Sequence, residues 1–200
     1  MRKDVELYGA SGHSKVVIDI LELNNYTVQK IYDDAPQQTT ITSCKVVKPE
    51  ELDQSNQPFI ISIGNNKVRQ KIDGLYPNLN YITAIHPKSI IAKNVHLDKG
   101  SVVMAGAIIN PAVHIGKHCI INTGATIDHD CKIDDYVHIS PNATLCGNVT
   151  IGKASHIGAS SVIIQNVNIG KNVTVGAGSV VIKDIPNGKM VVGNPARIIN

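Results

Sequence analysis

Aromatic residues are scarce in this chain of 200 residues, which has no Trp and one Phe. A binder of single-stranded nucleic acid needs rings on which bases stack, and few are present. Charge of one sign is also lacking. The 19 Lys and Arg balance 16 Asp and Glu to a net +3, with no run of either sign. Neither a nucleic-acid nor a membrane-surface role draws support from that balance. No apolar stretch approaches the roughly 20 residues that span a bilayer. No signal peptide opens the sequence, since Met1-Arg2-Lys3-Asp4 leads straight into an expected strand. No C-x-x-C spacing occurs. Cys44, Cys119, Cys131 and Cys146 read as unpaired thiols in a reducing cytoplasm.

What the chain has in abundance is Ile, Val, Gly and Asn in a fixed order. Stepping by six from Ile91 reaches Leu97, Val103, Ile109, Ile115 and so on to Val181, sixteen positions that are all Ile, Leu or Val. Four residues after each comes a second set, mostly smaller, that includes Ser101, Ala107, Cys119, Ala125, Cys131 and Ser155. No helix has a period of six. Each hexad therefore reads as one short strand plus a turn, and stacking buries the aliphatic position in a continuous core. Three hexads make one triangular coil of a left-handed parallel β-helix, so residues eighteen apart stack. No inserted loop breaks the register, so catalytic groups must come from the repeat itself or from its neighbours.

The first 86 residues differ. Residues 5–10 predict a strand, with a turn at Ser11-Gly12-His13-Ser14 and a helix to about Asn24. Thr27–Tyr32 predicts a second strand and Phe59–Ile63 a strand buried on both faces. A short helix is expected at Glu50–Asp53 and a longer one over Lys67–Leu75, with a last strand at Tyr81–Ile85. This alternation implies a small Rossmann-like α/β domain over 1–86. The β-helix is expected over 87–187, followed by a tail over 188–200.

Candidate chemistry gathers at strand ends. Gly9-Ala10-Ser11-Gly12-His13 lies where a strand meets a helix, a place that favours phosphate. It lacks the full G-x-G-x-x-G pattern, and alone it fits glycines that merely let the chain turn. Asp33-Asp34 and Gly64-Asn65-Asn66 end two further strands, so three ends converge on one crevice, the usual ligand edge of an open α/β sheet. Within the hexads, Asp128-His129-Asp130 sets an imidazole between two carboxylates, able to fix its tautomer and leave a base. A solvated His at an outward turn is the plainer alternative. His96/His114 and His138/His156 are each eighteen apart and should stack. No acidic or Cys partner is expected on those ladders, so a groove lining is preferred to a metal site.

The hexad array resembles the hexapeptide-repeat acyltransferases. Together with the N-terminal domain, five motifs resemble the sugar acetyltransferases of the bacillosamine-pathway and sialic-acid O-acetyltransferase type. They are Gly9–His13, Tyr32-Asp33-Asp34, Ile63–Asn66, Asp128–Cys131 and Gly193-Asn194-Pro195-Ala196-Arg197. The resemblance implies a bacterial cytoplasmic homotrimer of glycan biosynthesis that binds acetyl-CoA between prisms, with no metal. It would acetylate the amino group of a nucleotide-linked sugar, a UDP-4-amino-6-deoxy sugar in the better-known members. It makes His129 the general base, Asp130 its orienting carboxylate and Asn122 a polar active-site residue. His138, Ala159 and Ala177 would contact acetyl-CoA. Ser11, Gly12, His13, Asp33, Asp34 and Gly64 would hold the nucleotide sugar. One member of that family carries Glu on both sides of the His; here both are Asp, and Asp128 and Asp130 are shorter. A sugar O-acetyltransferase of sialic-acid type and a non-catalytic trimeric nucleotide-sugar-binding scaffold are the rival readings.

Overall fold

The computed structural model describes residues 2–52 and 56–199. A parallel sheet opens the chain. Its strands are β1 (Lys3–Tyr8), β2 (Tyr26–Tyr32), β3 (Thr40–Ile41), β4 (Cys44–Val47), β5 (Pro58–Ile61) and β6 (Asn80–Tyr81), in the order β3-β4-β2-β1-β5-β6. Among the described residues only the β3–β4 pair of this sheet is antiparallel. Helix α1 (Gly12–Leu23) joins β1 to β2, and α2 (Asn66–Leu75) follows β5. Val5, Leu7, Ile31 and Ile60 are fully buried, as strands covered on both faces require. At β5 the strand stops at Ile61, two residues short of the expected Phe59–Ile63.

Three other expectations need correction. The helix expected at Glu50–Asp53 is a 3-10 turn over Pro49–Glu51, and Asp53 lies outside the described residues. The strand expected over Tyr81–Ile85 is two strands. Asn80–Tyr81 ends the first sheet, whereas β7 (Ala84–Ile85) pairs with Val102–Val103 and is the first rung of the prism. Ile85 stands six before Ile91, so the hexad register already runs through it. The residues expected as a tail also join the prism. Met190–Val192 pairs with Thr174–Val175, and Arg197–Ile198 folds back antiparallel on it.

The prism is the expected left-handed β-helix. Short strands beginning at 84, 102, 120, 138, 156, 174 and 190 stack as a first face. Those at 90, 108, 126, 144, 162 and 180 form a second, and those at 96, 114, 132, 150 and 168 a third. The aliphatic hexad positions fill the interior: Ile109, Ile121, Ile139, Leu145, Ile157 and Ile163 are at most 1% exposed. Each such side chain contributes roughly 1.5–3 kcal/mol of hydrophobic stabilisation. The turns repeat a left-handed residue every six positions. Gly and Asn hold many of these, but His118, Asp130 and Tyr136 adopt it too, at φ 53, 62 and 60. A side chain there costs about 1–2 kcal/mol, and all three belong to polar clusters described below.

The N-terminal domain sits on the first face. Val102, Met104 and Ile120 of that face share one buried cluster with Leu7, Val17, Ile20 and Ile60.

Candidate active site

The first half of the site is the crevice at the carboxyl ends of β1, β2 and β5. The sheet order reverses at β1, so the chain leaves β1 toward β2 on one side and reaches β5 on the other. Gly9 closes the end of β1 at φ +112, and a Cβ there would lie 2.3 Å from Ile63 Cγ1. Only glycine permits this approach. Ser62 Oγ donates to the Tyr8 and Gly9 carbonyls at 3.1 and 2.7 Å, knitting the two strand ends. Ser11 and Gly12 are exposed at the start of α1, and His13 points inward from its first turn.

The acidic pair is engaged within the chain. Asp33 accepts from the Ala10 N–H at 2.7 Å and the Ala35 N–H at 2.9 Å, and Asp34 accepts from the Tyr8 hydroxyl at 2.8 Å. Asp33 therefore shapes the Gly9–His13 loop. Burial, then the Asp34 hydrogen bond, pushes the Tyr8 phenol well above its usual range.

The crevice opens onto the prism through Gly64. Its carbonyl lies 3.3 Å from His138 Nδ1 on the first face. At the edge between first and second faces, Asn122 Nδ2 lies 3.0 Å from His138 Nε2. Asn122 Oδ1 accepts from the Thr123 N–H, so its nitrogen is the end that faces the imidazole. The motif recurs one coil on, where Ser140 Oγ lies 2.7 Å from His156 Nε2. The His138 and His156 rings stack at 4.7 Å, and His13 approaches His138 at 6.5 Å. Burial first, then repulsion from His156 and Arg69, pulls His138 down to about 3; burial, then Arg69, pulls His13 down to about 4 and lowers His156. All three are neutral at pH 7. Ala159 and Ala177 lie farther along the same edge, bridged by Gly178 N–H donating to the Ala159 carbonyl at 2.8 Å.

His129 stands elsewhere. It occupies the edge between second and third faces, across the prism from the face that carries His138. Its side chain is 59% exposed, with Nδ1 2.7 Å from Asp130 Oδ2 and Nε2 3.9 Å from Asp128 Oδ2. The shorter Asp at 130 does reach the imidazole. Asp128 is itself held by Asn110 Nδ2 and the His129 N–H, at 2.8 and 2.9 Å. The Asp130 hydrogen bond, then the Asp128 charge, raises the His129 pKa. One chain thus unites Asn122 and His138 with the crevice and leaves His129 and Asp130 apart from them.

The whole arrangement has counterparts. The PglD N-terminal domain family matches residues 4–73, and the bacterial transferase hexapeptide family matches 112–147 and 148–183. A histidine-to-asparagine variant of perosamine N-acetyltransferase from Caulobacter crescentus, solved with CoA and GDP-perosamine, superimposes with TM-score 0.94 at 35% identity. That comparison covers 98% of this chain and 97% of that one. The chain belongs to the PglD-type hexapeptide-repeat sugar N-acetyltransferases. Another family member, the acetyltransferase domain of PglB from Neisseria gonorrhoeae with acetyl coenzyme A, matches with TM-score 0.91 and 33% identity over 100% of both chains. A UDP-N-acetylbacillosamine N-acetyltransferase of Bacillus subtilis is 38% identical over 52% of this chain and 52% of its own length. The chain thus spans about half of that curated relative, and 21% of a second, from Acanthamoeba polyphaga mimivirus.

For this family member, sequence reasoning missed the residues that seat the two domains together. In α2 the buried positions are Asn66, Arg69, Ile72 and Asp73, while Val68 and Leu75 are exposed. Polar residues at core spacing were the available signal. Asp73 takes Lys117 Nζ at 2.7 Å and a very short hydrogen bond from the Tyr136 hydroxyl, with His118 Nε2 3.1 Å away. His118 is fully buried, and desolvation pulls it down to about 4. The third-face ladder needs one correction: His96 Nε2 does have an acidic neighbour, Asp98, at 3.0 Å. Among the described residues no group of three His, Cys, Asp or Glu is arranged to hold a metal.

Proposed function

We propose that this protein transfers the acetyl group of acetyl-CoA to the amino group of a nucleotide-linked sugar. The nucleotide sugar would lie in the crevice of Ser11, Gly12, His13, Asp33, Asp34 and Gly64. Acetyl-CoA would lie along the edge of Asn122, Ala159 and Ala177, against His138. The observation that carries this reading is the Gly64 carbonyl at 3.3 Å from His138 Nδ1, which puts the end of the crevice directly above that edge. The relatives support the ligand pair: one is solved with CoA and GDP-perosamine, another with acetyl coenzyme A.

A homotrimer completes the site. The first face is covered by the N-terminal domain, and the third presents His96, His114, Lys132, Thr150 and Asn168. The second face presents Ile90, Ile108, Thr126, Thr144, Val162 and Val180, an apolar and β-branched ladder in which Ile90 is 65% exposed. Three second faces turned to a common axis bury that ladder and close a ring. Each first–second edge, with Asn122, Ala159 and Ala177, then meets a neighbour's second–third edge, with His129 and Asp130. The catalytic constellation thus forms between subunits.

The chemistry follows from that pairing. The neutral sugar amine attacks the thioester carbonyl, forming the C–N bond. His129 Nε2 takes the amine proton, its Nδ1–H held by Asp130. Asn122, which gives one amide N–H to His138, supplies a donor to the oxyanion. Collapse breaks the C–S bond, and the imidazolium returns the proton to the CoA thiolate. The four cysteines are free and no described helix is long and apolar enough to cross a membrane, which suits the cytoplasmic pool of acetyl-CoA.

The test is direct. Purified protein is incubated with acetyl-CoA and GDP- or UDP-linked 4-amino sugars, and thiol release is followed. Amide formation supports the proposal. Release only with hydroxyl acceptors such as sialic acids assigns O-acetylation instead. Nucleotide stabilisation without thiol release from any acceptor reduces the protein to a scaffold. Melting shifts with UDP, GDP and CMP select the nucleotide, since a ligand at 100 times its Kd stabilises by about 2.7 kcal/mol.

A further inference from the structure

Arg69 is 1% exposed at the seam between the domains, and its partners are all neutral. Nε donates to the His118 carbonyl at 3.0 Å. Nη1 donates to the Ile63 and Gly64 carbonyls at 3.0 and 2.8 Å. Nη2 donates to Asn66 Oδ1 and the Tyr136 carbonyl at 3.0 and 2.9 Å. All five N–H groups of a guanidinium are thereby used, with no carboxylate among the acceptors. Burial draws Arg69 down to about 10, still charged at neutral pH. A buried charge without a counter-ion is costly, and what offsets that cost here is the set of five acceptors the guanidinium satisfies and holds in place.

The Gly64 carbonyl points to its use. It accepts from Arg69 with one lone pair and stands 3.3 Å from His138 Nδ1. On the other side of that ring, Asn122 offers an N–H to Nε2 at 3.0 Å. The two neighbours agree on one tautomer: the proton sits on Nδ1, and the Nε2 lone pair faces Asn122. The titratable and charged groups facing His138 are His156 of the next coil, Arg69 of α2 and His13 of α1. None of them stabilises an imidazolium. The ring stays neutral, and the Gly64 carbonyl, pinned by Arg69, is the acceptor its Nδ1–H needs.

We infer that Arg69 is a positioning residue of the acetyl-transfer site: by fixing the Gly64 carbonyl above the first face, it holds His138 as the Nδ1–H tautomer, whose Nε2 accepts the hydrogen bond that anchors Asn122. The sugar-binding loop and the acyl-binding edge then share one hydrogen-bonded line, Arg69 to Gly64 to His138 to Asn122. The inference rests on the proposed function for its catalytic consequence, but the tautomer does not depend on it.

The test uses the full-length protein with ring-15N-labelled histidine, with His138→Gln identifying the His138 resonances. Wild type at pH 7 should show His138 as the neutral Nδ1–H tautomer, a measurement that needs no variant to fold. Arg69→Met should mix the tautomers, raise the pH at which His138 takes a second proton, and lower kcat on the order of tenfold or more. Arg69→Lys should restore neither the single tautomer nor kcat in full, because one ammonium cannot span five acceptors in this fork. An Nε2–H tautomer in wild type overturns the inference. So does a folded Arg69→Met that keeps pure Nδ1–H and loses only melting temperature, since that is the behaviour of a packing residue. If the tautomer behaves as expected but no acceptor is acetylated by wild type, the proposed function fails while the Arg69 relay stands.

Discussion

The His129 ring lies over Gly147, one coil farther along the same edge. A Cβ at Gly147 would come within 2.7 Å of His129 Cε1 and 2.8 Å of Nε2. The bare backbone there is a seat for the imidazole. Gly147→Ala should push the ring off Asp130 and misplace Nε2. A misplacement of about 1 Å can cost on the order of 100-fold in rate. Loss of kcat with an unchanged melting temperature is the expected result. Wild-type turnover in Gly147→Ala would remove the seat from the mechanism.

His129→Ala should lower kcat by about 100- to 10,000-fold, the usual contribution of a general base, with acetyl-CoA binding close to wild type. Calorimetric titration with CoA alongside steady-state rates separates the two. Asp130→Asn should cost less, since it removes the charge but keeps an acceptor for Nδ1–H.

The pH profile has a defined direction. A base must be unprotonated to act, and Asp130 and Asp128 raise His129 above its ordinary 6.5. Wild-type kcat/KM should therefore decline as pH falls through a midpoint above 6.5, and Asp130→Asn should move that midpoint down. An unmoved acidic limb would show that some other group sets it.

Stability should respond in the opposite range. His13 and His118 titrate near 4 and His138 near 3 in the fold, all depressed from 6.5 by burial. Above 6.5 both folded and unfolded chains hold these rings neutral. Below it the unfolded chain takes up protons that the fold refuses, so stability is lost as pH falls from 6.5 toward 3–4. Each ring contributes a slope of up to about 1.4 kcal/mol per pH unit. Melting curves from pH 7 to 4.5 should show a steep decline, made shallower by His118→Gln.

Assembly and activity should fail together. Ile108→Glu or Val162→Glu puts a charge on the second face and should yield monomers by sedimentation. Acetyl transfer should disappear, while nucleotide stabilisation by the N-terminal crevice survives. An active monomer would refute the shared site.

The sequence spoke clearly wherever one physical rule acted alone. The period of six could only be a stacked coil, and the interior positions from Val103 to Val181 are buried as that rule demands. The histidine stacks followed from the same count of eighteen. Prediction weakened where two rules met. Tyr81–Ile85 is apolar but for Thr83, a residue strands accept readily, so composition could not show that the chain leaves one sheet and starts another within it. Arg69 was missed because a polar residue on a short helix is expected in water, and although its spacing is that of a core position, its acceptors are carbonyls at positions 63, 64, 118 and 136 that no side-chain pattern reveals. The engagement of Asp33 by Ala10 was hidden for the same reason.

The unbroken register carries a further consequence, for how such a chain can change. Eighteen residues bring the backbone back to the same edge, so position around the prism is a matter of arithmetic. Six residues inserted between Asn122 and His138 would carry His138 to the next face and part it from Gly64. An insertion that left the downstream residues on their faces would have to be a whole coil, or a loop that bulges outward without advancing the count. Point changes can tune which sugar is held; changes in length are confined to steps of one full turn.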